Sequence, residues 1–457
     1  MSLNIEKSNR KRVIIVGGGF GGLQLAKRLK KSGLQVVLMD KNNYHQFPPL
    51  IYQVASAGME PSSISFPFRK IFQRTRNFYF RMAEVRAVFP EKKIIQTSIG
   101  KAEYDYLVFA AGTTTNFFGN KHIEENAIPM KNVSEAMGLQ NAILSNLERS
   151  ITCGTNLERQ ELLNVVIVGG GATGVEVAGV LSEMKKFILP HDYPDLDKSM
   201  MNIYLIEASN RVLSGMSPES SAKAEEFLRR MGVNILLNKK VVDYKDNKAV
   251  LEDGSEIATR TFIWVSGVAG VTINNIDSSF FGRGNRIKVD EFNRVQGMED
   301  VFAIGDQCIQ TTDKDYPKGH PQLAQVAIQQ GQLLAKNFCR LEKGKKMQPF
   351  HYRNLGSMAT VGRNKAVAEF SKVKIQGWFA WFLWLVVHLR SILGVRNKVI
   401  VFLNWIWNYF NYNQSLRMIF SPKKAKVVAE REAREAVTHW GEDLIEEEHD
   451  KEHSNAE

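Results

Sequence analysis

An α/β fold with two Rossmann-like dinucleotide-binding domains and a helical C-terminal segment is predicted by three features of this 457-residue sequence. Two glycine-rich stretches nearly copy one another: "KRVIIVGGGFGGLQLA" from residue 11 and "NVVIVGGGATGVEVAG" from residue 164, with Gly17 and Gly169 standing 152 residues apart. The elements behind them keep the same spacing, 95 residues from Gly17 to Gly112 and 98 from Gly169 to Gly267. Five of the seven tryptophans fall between Trp378 and Trp407, inside apolar runs. A chain of this length is too long for one core, so two or three domains are expected.

Each glycine stretch runs from an apolar β-branched strand ("VIIV", "VVIV") into a helical pattern, the context in which GxGxxG holds a diphosphate. Gly17 makes the tight turn, Gly19 lets the backbone approach a pyrophosphate, and Gly22 lets helix and strand pack; Gly169, Gly171 and Gly174 repeat these roles. Both stretches place the diphosphate at the positive end of a helix. The next strand should end in an acid for the ribose hydroxyls. "QVVLMD" brings Asp40, 18 residues after Gly22 and followed by Lys41; "NIYLIE" brings Glu207, set further back by the insertion "KKFILPHDYPDLDKSMM". The charge of Glu207 repels a 2′-phosphate and favours NADH over NADPH, a preference that Arg211 weakens slightly. Short alternating strands follow in each copy. A last strand then enters a small-residue turn: "YDYLVFAAGT", with Ala111, Gly112 and Thr113, and "RTFIWVSGVA", with Gly267.

Composition narrows the function. Forty-four per cent hydrophobic and 24% charged residues describe a globular chain. The polar start "MSLNIEKSNRKR" precedes a strand pattern, so no secretory signal is expected. Cys153, Cys308 and Cys339 form no CxxC or metal-ligand spacing, which argues against disulfide-relay and zinc chemistry; no metal is expected, and a reducing compartment suits them. Eleven acids against three bases leave residues 427–457 at −8; with the whole chain at +12, the rest carries +20. Such a basic body suits nucleic acid or an anionic membrane. The cations sit among tryptophans, which favours the membrane.

The doubled unit resembles flavoproteins with two dinucleotide-binding domains, in which an NAD(P)H domain interrupts an FAD domain. The resemblance implies a later return to the first domain. "GMEDVFAIGDQC" fits that return: a strand ends in Gly305–Asp306, where the family's acid accepts hydrogen bonds from the ribityl chain. Taken alone, a strand ending in "GD" is ordinary turn chemistry. The implied boundaries are 11–125 and 280–345 for the FAD-binding domain, 126–279 for the NADH-binding domain, 346–426 for a membrane-anchoring region and 427–457 for a charged tail.

After Asp306 comes "GHPQLAQVAIQQG", with Gln325 and Gln329 at i and i+4 on one face of a helix beginning near Pro321. The positive helix start stabilises negative charge on a reduced flavin. Two amides there suit a quinone's carbonyl oxygens; the alternative is a solvated helix with ordinary glutamines. Through AQxAxQxG (Ala324, Gln325, Ala327, Gln329, Gly331), "GGGATGVEVAG" and "NYHQFPPLIYQVASAG", residues 11–410 resemble the single-subunit type II NADH:quinone oxidoreductases. That resemblance implies non-covalent FAD, NADH as hydride donor, a ubiquinone or menaquinone as acceptor, and no proton pumping. It places Gln325 beside the isoalloxazine at the quinone site and Glu176 where nicotinamide, flavin and quinone meet. Glu176 also reads as a helix-start carboxylate complementing the dipole. His45, Phe47, Pro49 and Tyr52 are expected along the flavin or its approach. Ile328 stands where some relatives carry His, so no imidazole donor is expected there.

"WFAWFLWLVVHL" (378–389) and "VIVFLNWIWNYF" (399–410) are twelve-residue runs. Twelve helical residues reach about 18 Å, whereas a span needs about 20 residues to cross about 30 Å. Neither run crosses a bilayer. Tryptophans and tyrosines at headgroup depth, beside Arg390, Arg396, Lys398, Arg417, Lys423, Lys424 and Lys426, predict that 378–412 lies on a membrane surface, at the cytoplasmic face of the inner membrane. A buried helix pair or a homodimer interface is the alternative. Two rival functions stay open: a soluble reductase of a ferredoxin-like acceptor, and a flavin- and NADH-binding redox sensor.

Overall fold

The runs "VIIV" and "VVIV" are apolar on both faces, the composition of strands covered by helices on either side. In the computed structural model, which describes residues 3–371, 373–411 and 416–420, each lies at the centre of a five-stranded parallel sheet. The first sheet has the order Val301–Ala303, Tyr106–Phe109, Arg12–Val16, Gln35–Asp40, Phe78–Met82. The second has the order Ile128–Pro129, Thr261–Trp264, Val165–Val168, Ile203–Glu207, Val233–Leu237. The two orders match position by position. The chain enters the second sheet through Ile128–Pro129 and later returns to the equivalent edge of the first at Val301–Ala303.

Each unit also carries a three-stranded antiparallel sheet, spanning Val85–Phe89, Ile94–Thr97 and Gly100–Glu103 in one, and Val241–Lys245, Lys248–Leu251 and Glu256–Ala258 in the other. The exits from the two units pair with one another, Thr113–Thr115 antiparallel to Val268–Gly270. The segments after Gly112 and Gly267 therefore brace each other.

The helix carrying the glutamines spans Ala324–Leu341, starting three residues beyond Pro321. The delay has a cause: Arg286 donates to His320 O, and Gln322 Nε2 donates to Asp306 O, which holds 320–323 extended. This glutamine helix packs on the first cradle helix, Phe20–Leu29, at backbone contact. A Cβ added at Gly331 would lie 2.4 Å from Gly21 O.

The C-terminal region contains an element that the sequence reading missed. An antiparallel sheet of Ser357–Gly362, Lys365–Phe370 and Val373–Gln376 precedes the helices. Its signal is faint, since the strands are short and small-residue-rich around a turn at Asn364, whose φ is +62°. The first strand lies on the second cradle helix, Ala172–Glu183, where a Cβ at Gly179 would stand 1.7 Å from Val361 O. Two helices follow, Trp378–Ser391 and Val395–Asn411, with Ala380, Trp384 and Val401 buried. Among the described residues no helix is long and apolar enough to cross a membrane. Lys423, Lys424, Lys426, the predicted surface segment at 412 and the tail 427–457 lie outside the described residues.

The Gly331 contact makes a prediction whose sign is informative. In an exposed helix, alanine for glycine stabilises by about 1 kcal/mol. Here the added methyl meets a backbone oxygen, and overpacking costs about 1–3 kcal/mol. Gly331→Ala is therefore expected to lower the thermal midpoint and the flavin content together. A raised midpoint would show that the two helices are not in backbone contact.

Candidate functional site

Each glycine loop is closed by the acid that ends its second strand. Asp40 Oδ2 accepts from the Gly18 N–H at 2.7 Å, and Oδ1 from the Asn42 N–H at 2.8 Å. Glu207 repeats the pattern with the N–H groups of Gly170 at 2.6 Å and Ser209 at 2.8 Å. Burial pushes the Asp40 carboxyl up, and the two N–H groups pull it back. Lys41 is exposed beside it.

The glycines divide by what surrounds them. Gly17 and Gly169 have φ of +103° and +115°, and a Cβ would meet Ala110 O at 2.4 Å and Ser266 Cα at 2.7 Å. At Gly22 and Gly174 a Cβ would sit 1.9 Å from the carbonyl oxygen of the loop's own first glycine. At Gly19 and Gly171 nothing lies within 4 Å. The chain's own packing does not require glycine at those two positions; a diphosphate approaching the helix start does. The cradles thus fit two dinucleotides. Gly267 differs, since a Cβ there would meet the Phe118 ring at 2.8 Å. Its smallness serves an aromatic side chain of the same chain.

Around the first cradle the predicted residues come together. His45 Nδ1 donates to Gly18 O at 2.9 Å and its ring stands edge-on to Phe20; burial brings its pKa down to about 4, so the imidazole is neutral. The Ala111 N–H donates to Gln307 Oε1 at 2.8 Å, and Gln307 Nε2 donates to Val271 O at 3.0 Å. Gly112 and Gly305 both have φ of +71°, and the Gly305 N–H donates to Gln330 Oε1 at 2.7 Å. Burial pushes Asp306 up, while Lys131 and Arg286 draw it down. Lys131 also donates to Thr113 Oγ1. Lys131, Gln307 and Gln330 escaped the sequence reading. The two glutamines adjoin recognised motifs, but Lys131 follows an ordinary "IPM" and carries no signal.

Gln325 and Gln329 share one helix face, and both are occupied by the chain itself. Gln325 Nε2 donates to Gly356 O at 2.8 Å and its Oε1 accepts from the Leu355 N–H at 2.9 Å. Gln329 does the same with Arg353, at 2.9 and 3.1 Å. Four helical residues rise about 6 Å, close to the about 6.6 Å of two extended residues, so the pair reads an extended strand as a peptide would. Ala324 is the first residue of this helix.

Glu176 is the fifth residue of the second cradle helix, beyond its first turn. The dipole reading therefore loses force, because that effect fades within one turn. Burial pushes the carboxyl up to about 8 against the pull of the Thr360 N–H. It faces a cavity of about 130 Å³ lined also by Tyr52, Glu183, Arg363, Trp384 and Tyr409. A second cavity of about 490 Å³, bordered by Phe20, His45, Ile328, Arg390 and Lys398, opens beside the junction of the C-terminal helices. Beyond both cavities, Phe379, Phe402, Leu403, Ile406, Trp407 and Phe410 are exposed. Arg417, expected at the membrane, is ion-paired with Asp192.

Two cradles, a Gly–Asp turn and an apolar C-terminal unit define a flavoprotein oxidoreductase of the two-dinucleotide class. Residues 11–331 match the pyridine nucleotide-disulphide oxidoreductase model, and 354–411 match the NDH2 C-terminal domain model. The three cysteines are unpaired, and burial pushes the Cys308 thiol up to about 11. The chain belongs to the type II NADH:quinone oxidoreductases, which are FAD-dependent NADH dehydrogenases. It is 34% identical over 413 residues to such an enzyme of Mycobacterium tuberculosis, covering 87% of this chain and 86% of the relative. An internal alternative NAD(P)H-ubiquinone oxidoreductase of Arabidopsis thaliana is 30% identical over 439 residues, 88% and 85% of the two chains. Its fold is similar to that of Plasmodium falciparum NDH2 in complex with NADH, with a TM-score of 0.82 at 23% identity over 90% of this chain and 100% of that one.

The glycine division is testable. Gly22→Ala should cost both stability and flavin, whereas Gly19→Ala should leave the melting curve of the flavin-free protein near wild type and lower only the flavin-to-protein ratio. A wild-type flavin-to-protein ratio in Gly19→Ala would mean that Gly19 does not face the cofactor.

Proposed function

We propose that this chain passes two electrons from NADH to a membrane quinone, with Glu176 as proton donor to the quinone oxygen. The observation that carries the reading is a carboxyl, pushed up to about 8 by burial, that faces a cavity between the second cradle helix and the apolar C-terminal helices. The segments 11–125 and 280–345 hold FAD through Gly17, Gly19, Gly22, Asp40, Lys41, His45, Ala111, Gly112, Thr113, Gly305, Asp306 and Ala324. The segment 126–279 holds NADH through Gly169, Gly171, Gly174, Glu207 and Gly267. Bound FAD supplies the two-electron chemistry between nicotinamide and quinone.

The chain's own residues provide what that chemistry needs. Lys131 and Arg286 compensate the buried charge of Asp306. Gln325 and Gln329 position 353–356, the entry to the C-terminal unit. A hydride brings two electrons and one proton, while a quinol needs two protons. Glu176 supplies the other.

The segment 346–426 seats the protein on the cytoplasmic face of the inner membrane through Phe402, Leu403, Ile406, Trp407 and Phe410, with Arg390 and Arg396 toward anionic lipid at about 1 kcal/mol each. A soluble acceptor protein gives no reason for that face to be so apolar. A homodimer through the same face is the second reading.

Protonation sets the pH dependence. The donor is loaded below about 8 and empties above it, so the rate of quinone reduction should fall as pH rises through that value. Between 4.5 and about 8 the folded chain holds a proton that the unfolded chain has released, so stability also declines across this window. Glu176→Gln should slow quinone reduction about 100-fold and flatten the alkaline limb of kcat. A wild-type profile flat from pH 6 to 10 would remove Glu176 from the mechanism.

The membrane reading has its own check. Phe402→Asp with Phe410→Asp should release the protein from anionic vesicles while it still reduces a water-soluble dye with NADH. Retained vesicle binding, with a dimer lost on sizing columns, would transfer the face to subunit contact.

A further inference from the structure

The cavity beside Glu176 holds a second half-buried acid that the mechanism above does not use. Glu183 lies on the same helix, seven residues on, hence about 10 Å along the axis. Both carboxyls meet a backbone N–H of the C-terminal sheet, Glu176 that of Thr360 and Glu183 that of Arg363 at 2.5 Å. Gly179 lies between them on that face and admits Val361 O so closely that the strand reaches both acids.

Tyr52 comes from the opposite wall, on the helix Ile51–Ala55, and its phenol feels the charge of both carboxyls. Its oxygen accepts from Gln53 Nε2 at 2.9 Å, and Gln53 Oε1 in turn accepts from Trp405 Nε1 at 2.9 Å. With that amide fixed as donor, the tyrosine O–H is left to donate into the cavity. The about 130 Å³ of space accommodates roughly four waters at about 30 Å³ each. Glu183 is faced by Arg363 and Lys365 from the hairpin and by Lys186 one turn on, which is exposed; Tyr409 lines the same wall from the last helix. Glu176, by contrast, is governed by burial and the Thr360 N–H. The cationic, solvent-near end is at Glu183, and the apolar end is at Glu176.

We infer that Glu183 and Tyr52 form, with water in this cavity, a proton-uptake path that reloads Glu176 after each quinone reduction. The inference rests on the donor role proposed for Glu176. As two electrons from NADH reach the quinone, its oxygen takes the Glu176 proton and leaves a carboxylate. A cavity water bonded to Tyr52 protonates that carboxylate, Glu183 protonates the water, and solvent reprotonates Glu183. The sum is NADH, one solvent proton and quinone giving NAD⁺ and quinol. Transfer needs donor and acceptor within about 3 Å, so the two carboxyls cannot exchange directly and the intermediates are required.

The test uses the full chain with FAD bound. NADH first bleaches the flavin anaerobically, and a short-chain quinone then restores its colour in a stopped-flow instrument. Glu183→Gln should slow the recovery at least about 10-fold at pH 8, with a larger solvent isotope effect, while bleaching by NADH stays within about twofold of wild type. Added formate or azide should accelerate recovery in this variant and leave wild type unchanged, a rescue that structural damage would not give. Wild-type recovery in Glu183→Gln, or slowing without rescue, overturns the path. If Glu176→Gln is slow while Glu183→Gln is normal, the donor stands and the relay falls; if Glu176→Gln recovers normally, the donor reading itself fails. Should Glu183→Gln not retain flavin, Tyr52→Phe carries the same test, and its recovery at the wild-type rate overturns the path.

Discussion

Close backbone contact, permitted at single glycines, holds the three parts of this molecule in register. Gly331 against Gly21 joins the glutamine helix to the first cradle, and Gly179 against Val361 joins the C-terminal sheet to the second. Helices carrying larger residues sit 8–10 Å apart, and at that separation the carbonyl and amide groups of one element cannot reach the side chains of the other. The short approach at Gly179 delivers two sheet N–H groups to acids three residues before and four residues after it, positions that share one face of a helix. The geometry of the reactive end is therefore set by packing between regular elements rather than by loops.

Half-buried carboxyls divide into two groups by the way their charge is compensated. Asp40 and Glu207 each accept two backbone N–H groups, and Asp306 is faced by two cations. Those acids bind or support. Glu176 has one N–H and no cation among its determinants, and so keeps its proton at neutral pH. Isolated burial favours the neutral form of an acid, and neutral is the state a proton donor needs before the electrons arrive. The same rule places His45 and His388 on the neutral side, both brought down to about 4 by burial.

The parts legible in the sequence are those whose physics is local. A glycine needed for a positive φ, and an acid that caps its own loop, announce themselves within 40 residues; the doubled spacing then exposes both sheets. Lys131 toward Asp306, Gln307 to Ala111 and Glu183 to Arg363 act across long sequence separations, and nothing beside Lys131 or Glu183 in the chain marks the partner. The strands at 357–376 escaped because four- to six-residue runs of small side chains show too little alternation to stand out. The glutamine spacing was read correctly, but both amides turned out to grip 353–356.

That grip bears on how a lipid-borne substrate reaches the interior. The last helix is tied to the core through Trp405 to Gln53, Asn397 to the carbonyls of Ser62 and Ser63, and Asn408 to Gly58, while the buried Trp384 ring stacks on His388. At about 1 kcal/mol for each hydrogen bond, and about 3–5 kcal/mol for loss of a buried tryptophan, swinging this helix pair away from the core would cost more than thermal motion supplies. Five exposed large apolar side chains, at about 1.5–3 kcal/mol each when fully covered, outweigh the neighbouring cations in the seat on a bilayer proposed for this face. Tied in this way, the helix pair forms a fixed wall of the cavity at Glu176, and under the proposed function a ligand reaches that cavity by side-chain rearrangement rather than by movement of the helices.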